Sequence, residues 1–325
     1  MSLLKILLLP SLAVLLLCVF SKTLPITPTQ YDQHVAGKVF LLCGASSGIG
    51  EQITYELAKL GAKVIIVARS TDKLEVVRET AEKEYGAGPG SVHVIRCDMS
   101  DMEQVLGLVP EALKVHGRID HVILNHAATP TGPFLEMTQQ QTPAYIEKLF
   151  RTNVFSFIQL TLAVLPEVEK QSGHILATSS LAGELPFFMN GPYASSKHAL
   201  NGFFYSLQQE LLAKKSNATV SVAALGFIST KEITELTSHI ETVPSLFKGD
   251  LVECALAMVD NFVTRARTVS YPKIAVILGR CVWWLSPVYH EMILFDERAY
   301  DDAVMLSEKA RELSLTSGYQ TNNLA

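Results

Sequence analysis

The 325-residue chain is 48% hydrophobic and carries a net charge of −5 at pH 7, with a pI near 6.0. This apolar content is enough for one large α/β domain with short extensions. An acidic balance without a run of lysine or arginine argues against binding to nucleic acid. The cysteines, at positions 18, 43, 97, 254 and 281, are too sparse for a disulfide scaffold and lack a Cys-x-x-Cys spacing, so we expect free, mostly buried thiols and no metal site.

A hydrophobic N-terminus departs from this pattern of a water-soluble domain. Residues 6–20 form a predominantly apolar run that is preceded by Lys5. Crossing a bilayer takes about 20 residues and the core of a signal peptide roughly 7–15, so the run fits a membrane anchor or a signal peptide better than a buried helix. No small-x-small cleavage site follows Phe20, which favours a retained anchor over residues 1–22 and a linker over 23–36.

From residue 37 onward, apolar runs of strand length alternate with segments of helical period. The apolar runs predict strands at 38–43, 63–68, 92–96, 119–124, 174–178 and 220–225, and the periodic segments predict helices at 51–60, 71–85 and 193–211. Strands that are apolar throughout are buried on both faces, as in a parallel sheet covered by helices. We therefore predict one α/β domain over 37–272, a doubly wound parallel sheet with helices on both faces, and a C-terminal extension over 273–325.

A glycine-rich segment, Gly44-Ala45-Ser46-Ser47-Gly48-Ile49-Gly50, joins the first predicted strand to the first predicted helix. Its glycines allow close backbone approach, and the amides at the positive end of the helix can bind a pyrophosphate. This placement within a β-α-β unit is typical of a Rossmann-type fold. The residues that we predict to bind a dinucleotide here are Gly44, Ser46, Ser47, Gly48, Ile49 and Gly50.

The second predicted strand ends at Ala68 and is followed by Arg69 and Ser70. A carboxylate at this point would pair with the ribose hydroxyls of NAD and would repel a 2′-phosphate. A guanidinium instead binds the phosphate with charge-assisted hydrogen bonds worth about 1.5–3 kcal/mol each. The sequence therefore favours NADP(H) as the cofactor, and a solvated loop charge is the alternative interpretation of Arg69.

Further candidate residues follow the third and fourth predicted strands: Asp98 with Met99, and Asn125 with His126 and Ala127. Ligands of doubly wound sheets bind at the carboxyl ends of the strands. We therefore expect these residues beside the cofactor, although each alone is equally compatible with a turn or a helix cap.

Tyr193 and Lys197 are four residues apart in a segment of helical character, so they share one face of the predicted helix. A close cation favours the phenolate and lowers the pKa of a tyrosine from about 10, which makes the phenol a usable acid or base. Ser180 ends the preceding strand, where its hydroxyl could bind a substrate oxygen. Asn153, in the helix before, could connect the site to water. Taken singly, the pair is more typical of a helix surface, and Ser180 and Asn153 of incidental polar groups, so these four residues are candidates for a catalytic set.

These motifs, in this order, resemble the short-chain dehydrogenase/reductase family over about residues 36–270. The residues that carry the resemblance are Gly44-x-x-x-Gly48-x-Gly50, Asn125-His126-Ala127, Asn153, Ser180 and Tyr193-x-x-x-Lys197. Within that family the chain is most similar to the 11-beta-hydroxysteroid dehydrogenase type 1 and 1-like group, through Ala68-Arg69-Ser70, Ser179-Ser180-Leu181-Ala182-Gly183 and Leu225-Gly226-x-Ile228-x-Thr230.

The resemblance implies a role for each residue of the catalytic set. Tyr193 would be the general acid and base, and Lys197 would lower its pKa and bind the nicotinamide ribose. Ser180 would orient the substrate, and Asn153 would belong to a proton relay.

The resemblance also implies contacts outside the catalytic set. Ile228 and Thr230 would contact the nicotinamide amide and the phosphates. Ser47 replaces a basic residue that often gives the 2′-phosphate a second cationic partner. Phe187 stands where the steroid enzyme has a substrate-facing tyrosine. We therefore expect Phe187 to contact the substrate together with Ser180 and Tyr193, and a substrate other than a glucocorticoid is nearly as good a candidate.

The expected function is hydride transfer between NADP(H) and a hydroxyl or keto group of a small, steroid-like lipophilic substrate. The alternatives are a retinol or xenobiotic carbonyl reductase, and a nucleotide-binding scaffold without turnover, which the complete catalytic set disfavours. We also expect a homodimer and a location at the endoplasmic reticulum membrane with the domain in the lumen, secretion after signal cleavage being the alternative. The triplet Asn217-Ala218-Thr219 would favour the lumen if Asn217 is glycosylated.

Two segments beyond the sixth predicted strand carry separate expectations. Residues 230–247 fit either a mobile lid over the substrate or a plain surface helix and loop. Residues 274–295 are apolar and contain the pair Trp283 and Trp284, but Arg280 and other charges argue against a membrane span. An interfacial surface, a subunit contact and a core helix all fit the second segment.

Overall fold

The computed structural model describes residues 25–280, apart from 129–133, 135–141, 186–190, 231–247, 275 and 278. Several predictions from the sequence fall on other residues. The anchor over 1–22, the substrate-facing Phe187, the lid beyond Thr230 and most of the C-terminal extension lie outside the described residues.

Strands and helices alternate along the described residues, as the sequence predicts. The strands are β1 (Val39–Cys43), β2 (Lys63–Ala68), β3 (Val92–Arg96), β4 (His121–Leu124), β5 (His174–Thr178), β6 (Thr219–Leu225), β7 (Phe227–Ile228), β8 (Lys248–Gly249) and β9 (Thr268–Tyr271). The helices are α1 (Pro28–His34), α2 (Gly48–Lys59), α3 (Thr71–Glu84), α4 (Met102–His116), α5 (Thr142–Phe150), α6 (Ser156–Lys170), α7 (Gly191–Lys214) and α8 (Leu251–Thr264). A π-helical turn over Arg151–Phe155 joins α5 to α6, and a 3-10 turn covers Leu181–Gly183.

Within the described part of the chain, a seven-stranded parallel sheet with the order β3-β2-β1-β4-β5-β6-β9 forms the centre of the domain. Leu41 of β1 is paired with Ile65 of β2 on one side and with Val122 of β4 on the other. The strand order reverses between β1 and β4, so the connections leave in opposite directions and open a crevice at the carboxyl ends of these strands. The predicted doubly wound parallel sheet is confirmed.

Two apolar cores lie on either side of the sheet because successive strand residues point to opposite faces. Leu42 of β1 belongs to the core with α2, α3 and α8, while its neighbour Leu41 belongs to the core with α4, α6 and α7. Both side chains are fully buried, and burying a leucine side chain is worth about 1.5–3 kcal/mol. Burial on both faces explains why β1 is apolar at every position.

The helical stretch Thr142–Lys170, which comprises α5, the π-helical turn and α6, is the one stretch among the described residues that is long and apolar enough to span a membrane. Its side chains Phe157, Leu160 and Val164 are fully buried in the core that contains α4. This is the pattern of a core helix, so the length and composition of the stretch are weak support for a membrane span.

Two buried histidines lie at the amino-terminal edge of the sheet. His174 Nε2 donates to Asn261 Oδ1 at 2.8 Å, and its Nδ1 accepts from Thr219 Oγ1 at 2.8 Å. His121 Nε2 donates to the His34 carbonyl at 3.1 Å. Burial lowers the pKa of His174 to about 4 and holds the pKa of His121 well below its usual value. Both rings are therefore neutral in the folded protein at neutral pH.

Acid should destabilise the protein through these histidines. An unfolded histidine takes up its proton near pH 6.5, whereas folded His174 does so near pH 4, so the unfolded state binds more protons between these values. We expect the free energy of unfolding to decrease as the pH is lowered through this window, by about 1 kcal/mol per pH unit for each such histidine.

Urea unfolding at pH 7 and pH 5 measures this dependence. His174→Gln should flatten it, whereas the control His93→Gln, at an exposed position of β3, should leave it unchanged. An identical pH dependence in wild type and His174→Gln would contradict the assignment.

Candidate active site

The glycine-rich loop between β1 and α2 has a backbone that leaves no room for side chains. Gly44 and Gly48 have positive φ angles of 83° and 57°. A Cβ atom at Gly44 would lie 2.6 Å from the amide nitrogen of His126, and one at Gly50 would lie 2.0 Å from the Gly44 carbonyl oxygen. Ser47 precedes α2 without a side-chain capping bond, and helix N-termini of this kind bind phosphate groups. The loop is therefore shaped for close approach of a phosphate-bearing ligand.

Gly50→Ala should weaken dinucleotide binding. Its methyl group would collide with backbone atoms, not with a flexible side chain, so the loop must shift. Overpacking of this kind costs about 1–3 kcal/mol, which corresponds to roughly a 5- to 150-fold loss of affinity. Fluorescence titration with NADPH measures the affinity. Gly88→Ala is the matched control because a Cβ atom there meets nothing within 4 Å; equal affinities in the two variants would disprove the steric argument.

A chain of hydrogen bonds connects the glycine-rich loop to α7. Asn125, directly after β4, donates from Nδ2 to the Gly44 carbonyl at 3.1 Å and accepts at Oδ1 from Thr178 Oγ1 at 3.1 Å. The Thr178 carbonyl in turn accepts from Lys197 Nζ at 3.0 Å. Sequence reasoning missed Thr178, although its position two residues before Ser180 in an extended segment was an available signal. The glycine-rich loop and α7 are thus linked through Asn125 and Thr178.

Ser180, Tyr193 and Lys197 come together beyond the carboxyl end of β5. The Lys197 ammonium lies 5.7 Å from the centre of the Tyr193 ring, and the Ser180 hydroxyl is close enough to the Tyr193 phenol to lower its pKa. Ser180 and Tyr193 are partly exposed, whereas Lys197 is only 1% exposed. The structure thus joins three residues of the predicted catalytic set, with both hydroxyl-bearing residues partly open to solvent and the cation enclosed.

Burial determines the protonation of this site. It raises the pKa of Tyr193, an effect that the Ser180 hydrogen bond partly offsets, and it lowers the pKa of Lys197 to about 8. The sequence led us to expect a lowered tyrosine pKa. The direction differs because the ammonium donates to the Thr178 carbonyl, so desolvation of the phenolate outweighs the attraction of the cation. Tyr193 is therefore protonated at neutral pH.

Asn153 lies in the π-helical turn and is fully buried. Its Oδ1 accepts from the Ala128 amide at 2.7 Å, and its Nδ2 donates to the Ala128 carbonyl and to Ser196 Oγ, both at 3.1 Å. Ser196 donates to the Tyr193 carbonyl at 2.7 Å. Asn153 therefore fixes α7 to the segment after β4, and both of its N–H donors are used in doing so. The second lone pair of Oδ1 is the remaining group of Asn153 that a relay water would use as its acceptor.

His126 is buried and hydrogen-bonded to the helical stretch behind it. Ser156 Oγ donates to the Thr152 carbonyl at 2.7 Å, so His126 Nε2 is the donor in its 2.8 Å bond to Ser156 Oγ. The ring packs on Phe157, with centroids 4.3 Å apart. Burial, followed by the charge of Lys197, lowers the pKa of His126 to about 3. Its side chain is thus a neutral support, and its backbone borders the glycine-rich loop.

The residues predicted to contact the adenosine half lie beyond β2 and β3. Arg69 is exposed, and Ser70 occupies the N-cap position of α3. Asp98 accepts from the Ser100 amide at 2.9 Å and from the Ser100 hydroxyl at 2.8 Å, so its carboxylate also stabilises a turn. Met99 is buried. The structure therefore places these residues at the same edge of the sheet as the glycine-rich loop.

The residues predicted to contact the nicotinamide half lie beyond β4 and β6. Thr230 borders the glycine-rich loop, because a Cβ atom at Gly48 would lie 3.1 Å from its methyl group. Its amide donates to the Ile228 carbonyl at 2.7 Å. Ala127 is exposed in the segment after β4. Thr230 thus lies beside the glycine-rich loop, and its contact with a phosphate stays a prediction.

The parallel sheet, the glycine-rich loop and the Tyr193–Lys197 pair define a dinucleotide-binding oxidoreductase class. The family model described as "short chain dehydrogenase" matches residues 38–241, more than half of the chain. The chain belongs to the short-chain dehydrogenase/reductase family.

Its curated relatives are named after hydroxysteroid dehydrogenases. The chain is 32% identical over 269 residues to the hydroxysteroid 11-beta-dehydrogenase 1-like protein of Gallus gallus, covering 82% of this chain and 86% of that protein. It is 34% identical over 247 residues to the protein of the same name from Danio rerio, covering 75% and 82%. It is 33% identical over 239 residues to the 11-beta-hydroxysteroid dehydrogenase-like 2 of Arabidopsis thaliana, covering 74% and 75%.

Solved structures share the fold. A short-chain dehydrogenase/reductase from Burkholderia phymatum in complex with NAD superposes with a TM-score of 0.64 at 22% identity, covering 75% of this chain and 93% of that one. A metagenomic short-chain oxidoreductase in complex with NADP superposes with a TM-score of 0.58 at 26% identity, covering 73% and 96%.

Proposed function

We propose that the protein catalyses NADP(H)-dependent hydride transfer to or from a keto or hydroxyl group of a lipophilic, steroid-like substrate. The observation that carries this proposal is the adjacency of the Tyr193 phenol and the Ser180 hydroxyl, backed by the Lys197 ammonium. A proton donor beside a second hydroxyl, at the carboxyl end of a doubly wound sheet, is what interconversion of a ketone and an alcohol requires.

The glycine-rich loop fits a dinucleotide. The space that a Cβ atom would fill at Gly44 or Gly50 is taken by backbone, so the loop is narrow enough for its amides to meet a pyrophosphate at the start of α2. The nicotinamide group, when bound, donates or accepts the hydride. Ile228 and Thr230 would hold its amide and the phosphates, and Lys197 would hold its ribose.

In the reductive direction, Ser180 donates a hydrogen bond to the substrate oxygen and Tyr193 gives it the phenolic proton. The raised pKa keeps that proton on Tyr193 at neutral pH, which is the state that reduction needs. Lys197, with a pKa of about 8, carries a positive charge at neutral pH and stabilises the phenolate that forms. Oδ1 of Asn153 would accept from the water that returns the proton. Oxidation of an alcohol uses the same groups in reverse.

A turnover screen of wild type and Tyr193→Phe with NADPH across steroids, retinoids and simple ketones tests this function. Loss of a positioned acid costs about 10²- to 10⁴-fold in rate, so we expect wild-type turnover of a steroid and a loss of this size in the variant. Tyr85→Phe is the control, since Tyr85 stacks on Tyr55 between α2 and α3. Preferred turnover of a retinoid or a simple ketone would favour the carbonyl reductase alternative, and no turnover by wild type would favour the scaffold.

The preference for NADP(H) is supported by Arg69 at the end of β2. Its guanidinium is exposed beside Ser70, which precedes the 14-residue helix α3. A cation and a helix N-terminus together favour an anionic group such as the 2′-phosphate.

Arg69→Asp should reverse the cofactor preference, because it removes the phosphate partner and adds repulsion. Loss of one charge-assisted bond costs about 1.5–3 kcal/mol, or roughly 10- to 150-fold in kcat/KM for NADPH. Steady-state kinetics with NADPH and NADH measure the ratio. Lys73→Asp makes the same charge change on the exposed face of α3 and should leave it unaltered; an unchanged ratio in Arg69→Asp would refute the argument.

We also propose that the anchor over residues 1–22 attaches the protein to the endoplasmic reticulum membrane with the domain in the lumen, and that two copies associate. Association is supported by an exposed apolar surface formed by Leu106 of α4, Phe155 of the π-helical turn and Leu162 of α6, each at least half exposed and all lining one concave area. Leu162→Glu should convert a dimer to a monomer in light scattering.

For the location, digestion of the domain by added protease in intact microsomes would show that the domain does not lie in the lumen.

A further inference from the structure

Two neighbouring serines of α7 differ in what their hydroxyl groups bind. Ser195 is exposed and donates to the Gly191 carbonyl of its own helix at 2.8 Å. Ser196 is fully buried and donates to the Tyr193 carbonyl at 2.7 Å. It also accepts from Asn153 Nδ2 at 3.1 Å, although the two residues are 43 positions apart. A bond to a carbonyl of its own helix is ordinary for a helical serine, so the bond from Asn153 sets Ser196 apart.

The hydroxyl of Ser196 connects Asn153 to the residue that carries the phenol. Because its one proton is donated to the Tyr193 carbonyl, the oxygen faces Asn153 as an acceptor. On its other side the Asn153 amide is bonded to both backbone groups of Ala128. The amide is thus held between two elements, and Ser196 sets its distance from α7.

The position of Asn153 matters because Tyr193 loses a proton in each cycle of the proposed reduction. The substrate oxygen gains the phenolic proton, and the phenolate has to regain one from water before the next cycle. Oδ1 of Asn153 is the acceptor proposed for that water. Proton transfer needs heavy atoms within about 2.6–3.2 Å of each other, and a displacement of about 1 Å is enough to slow it severely.

We infer that Ser196 is a positioning residue for the return of the proton to Tyr193, because its hydroxyl holds the Asn153 amide at a fixed distance from α7. In each reduction one hydride passes from NADPH to the carbonyl carbon and one proton from Tyr193 to the carbonyl oxygen. One proton from water then restores the phenol, and this is the step that Ser196 supports. The inference rests on the proposed function and deepens it, since it assigns control of one step at the same site.

Ser196→Ala tests the inference because it removes both bonds of the hydroxyl and adds no atom to a buried position. The assay uses full-length protein with NADPH and with androstenedione or cyclohexanone, whichever wild type reduces faster. Leaving a buried amide without its acceptor has an effect of roughly 5- to 150-fold, so we expect kcat to fall by about fivefold or more. The value of kcat/KM should change less than about twofold, because hydride transfer uses the proton already present on Tyr193.

Stopped-flow measurements separate the two steps directly. The absorbance of NADPH follows hydride transfer, and a pH indicator follows the uptake of the proton from solvent. We expect the two signals to coincide in wild type, whereas proton uptake should lag behind hydride transfer in Ser196→Ala. Added imidazole, a small proton donor, should shorten the lag.

Ser195→Ala is the matched control, because it removes a hydroxyl that is bonded to a carbonyl of the same helix at an exposed position. Both kinetic constants should stay at the wild-type values. Ser196→Cys keeps a weak acceptor of similar size; it serves if Ser196→Ala does not fold and should lower kcat to a smaller extent. Equal losses in kcat and kcat/KM, or proton uptake without a lag in Ser196→Ala, would show a merely structural serine and overturn the inference.

Amide hydrogen exchange in the protein without cofactor or substrate separates this inference from the proposed function. If Ser196 holds Asn153 in place, the π-helical turn over Arg151–Phe155 should exchange faster in Ser196→Ala than in Ser195→Ala. Wild type that reduces neither ketone would refute the proposed function, and the exchange rates would still decide whether Ser196 holds Asn153. Equal exchange in the two variants would refute the inference even if wild type is active.

Discussion

A lysine ammonium enclosed in the protein and hydrogen-bonded to a backbone carbonyl is the constraint on which the site depends. Lys197 is 1% exposed, and its Nζ donates to the last carbonyl of β5. A buried cation is costly unless its donors find acceptors, so α7 must dock with this side chain over the end of β5. That docking sets Tyr193 beside Ser180. The geometry of the proposed reacting groups thus results from satisfying one charge at the end of one strand.

Features that depend on local pattern could be predicted well from the sequence. Strands that are apolar at every position, such as β1, have to be buried on both faces. A glycine-rich segment between such a strand and a helix indicates a loop that binds a phosphate-bearing ligand. Contacts between distant residues could not be predicted this way. Glu184 and Arg280 form an ion pair although they are 96 positions apart, and from the sequence Arg280 was only a charge that opposed a membrane span. The π-helical turn around Asn153 was also missed, since the periodicity of its residues is that of an ordinary helix.

The direction of the tyrosine pKa could not be predicted because it depends on a balance, not on a motif. Spacing alone shows that a phenol and an ammonium share a helix face. It does not show that the ammonium is directed to the Thr178 carbonyl, or that partial burial of the phenol raises its pKa more than Ser180 lowers it. Burial also lowers the pKa values of the two histidines at the other edge of the sheet. There both ring nitrogens of His174 are hydrogen-bonded to neutral partners. At both edges of the sheet, burial is thus the main cause of the shifted pKa values.

The bridge through Asn125 and Thr178 has a consequence for variation in this protein. Asn125 is hydrogen-bonded to Gly44 and Thr178, and Thr178 to Lys197, so the glycine-rich loop and α7 share a single set of hydrogen bonds. Substitutions at the two ends would not contribute independent free energies, because residues within one network are energetically coupled. A change tolerated in the glycine loop of one homologue can therefore be damaging in another whose threonine differs.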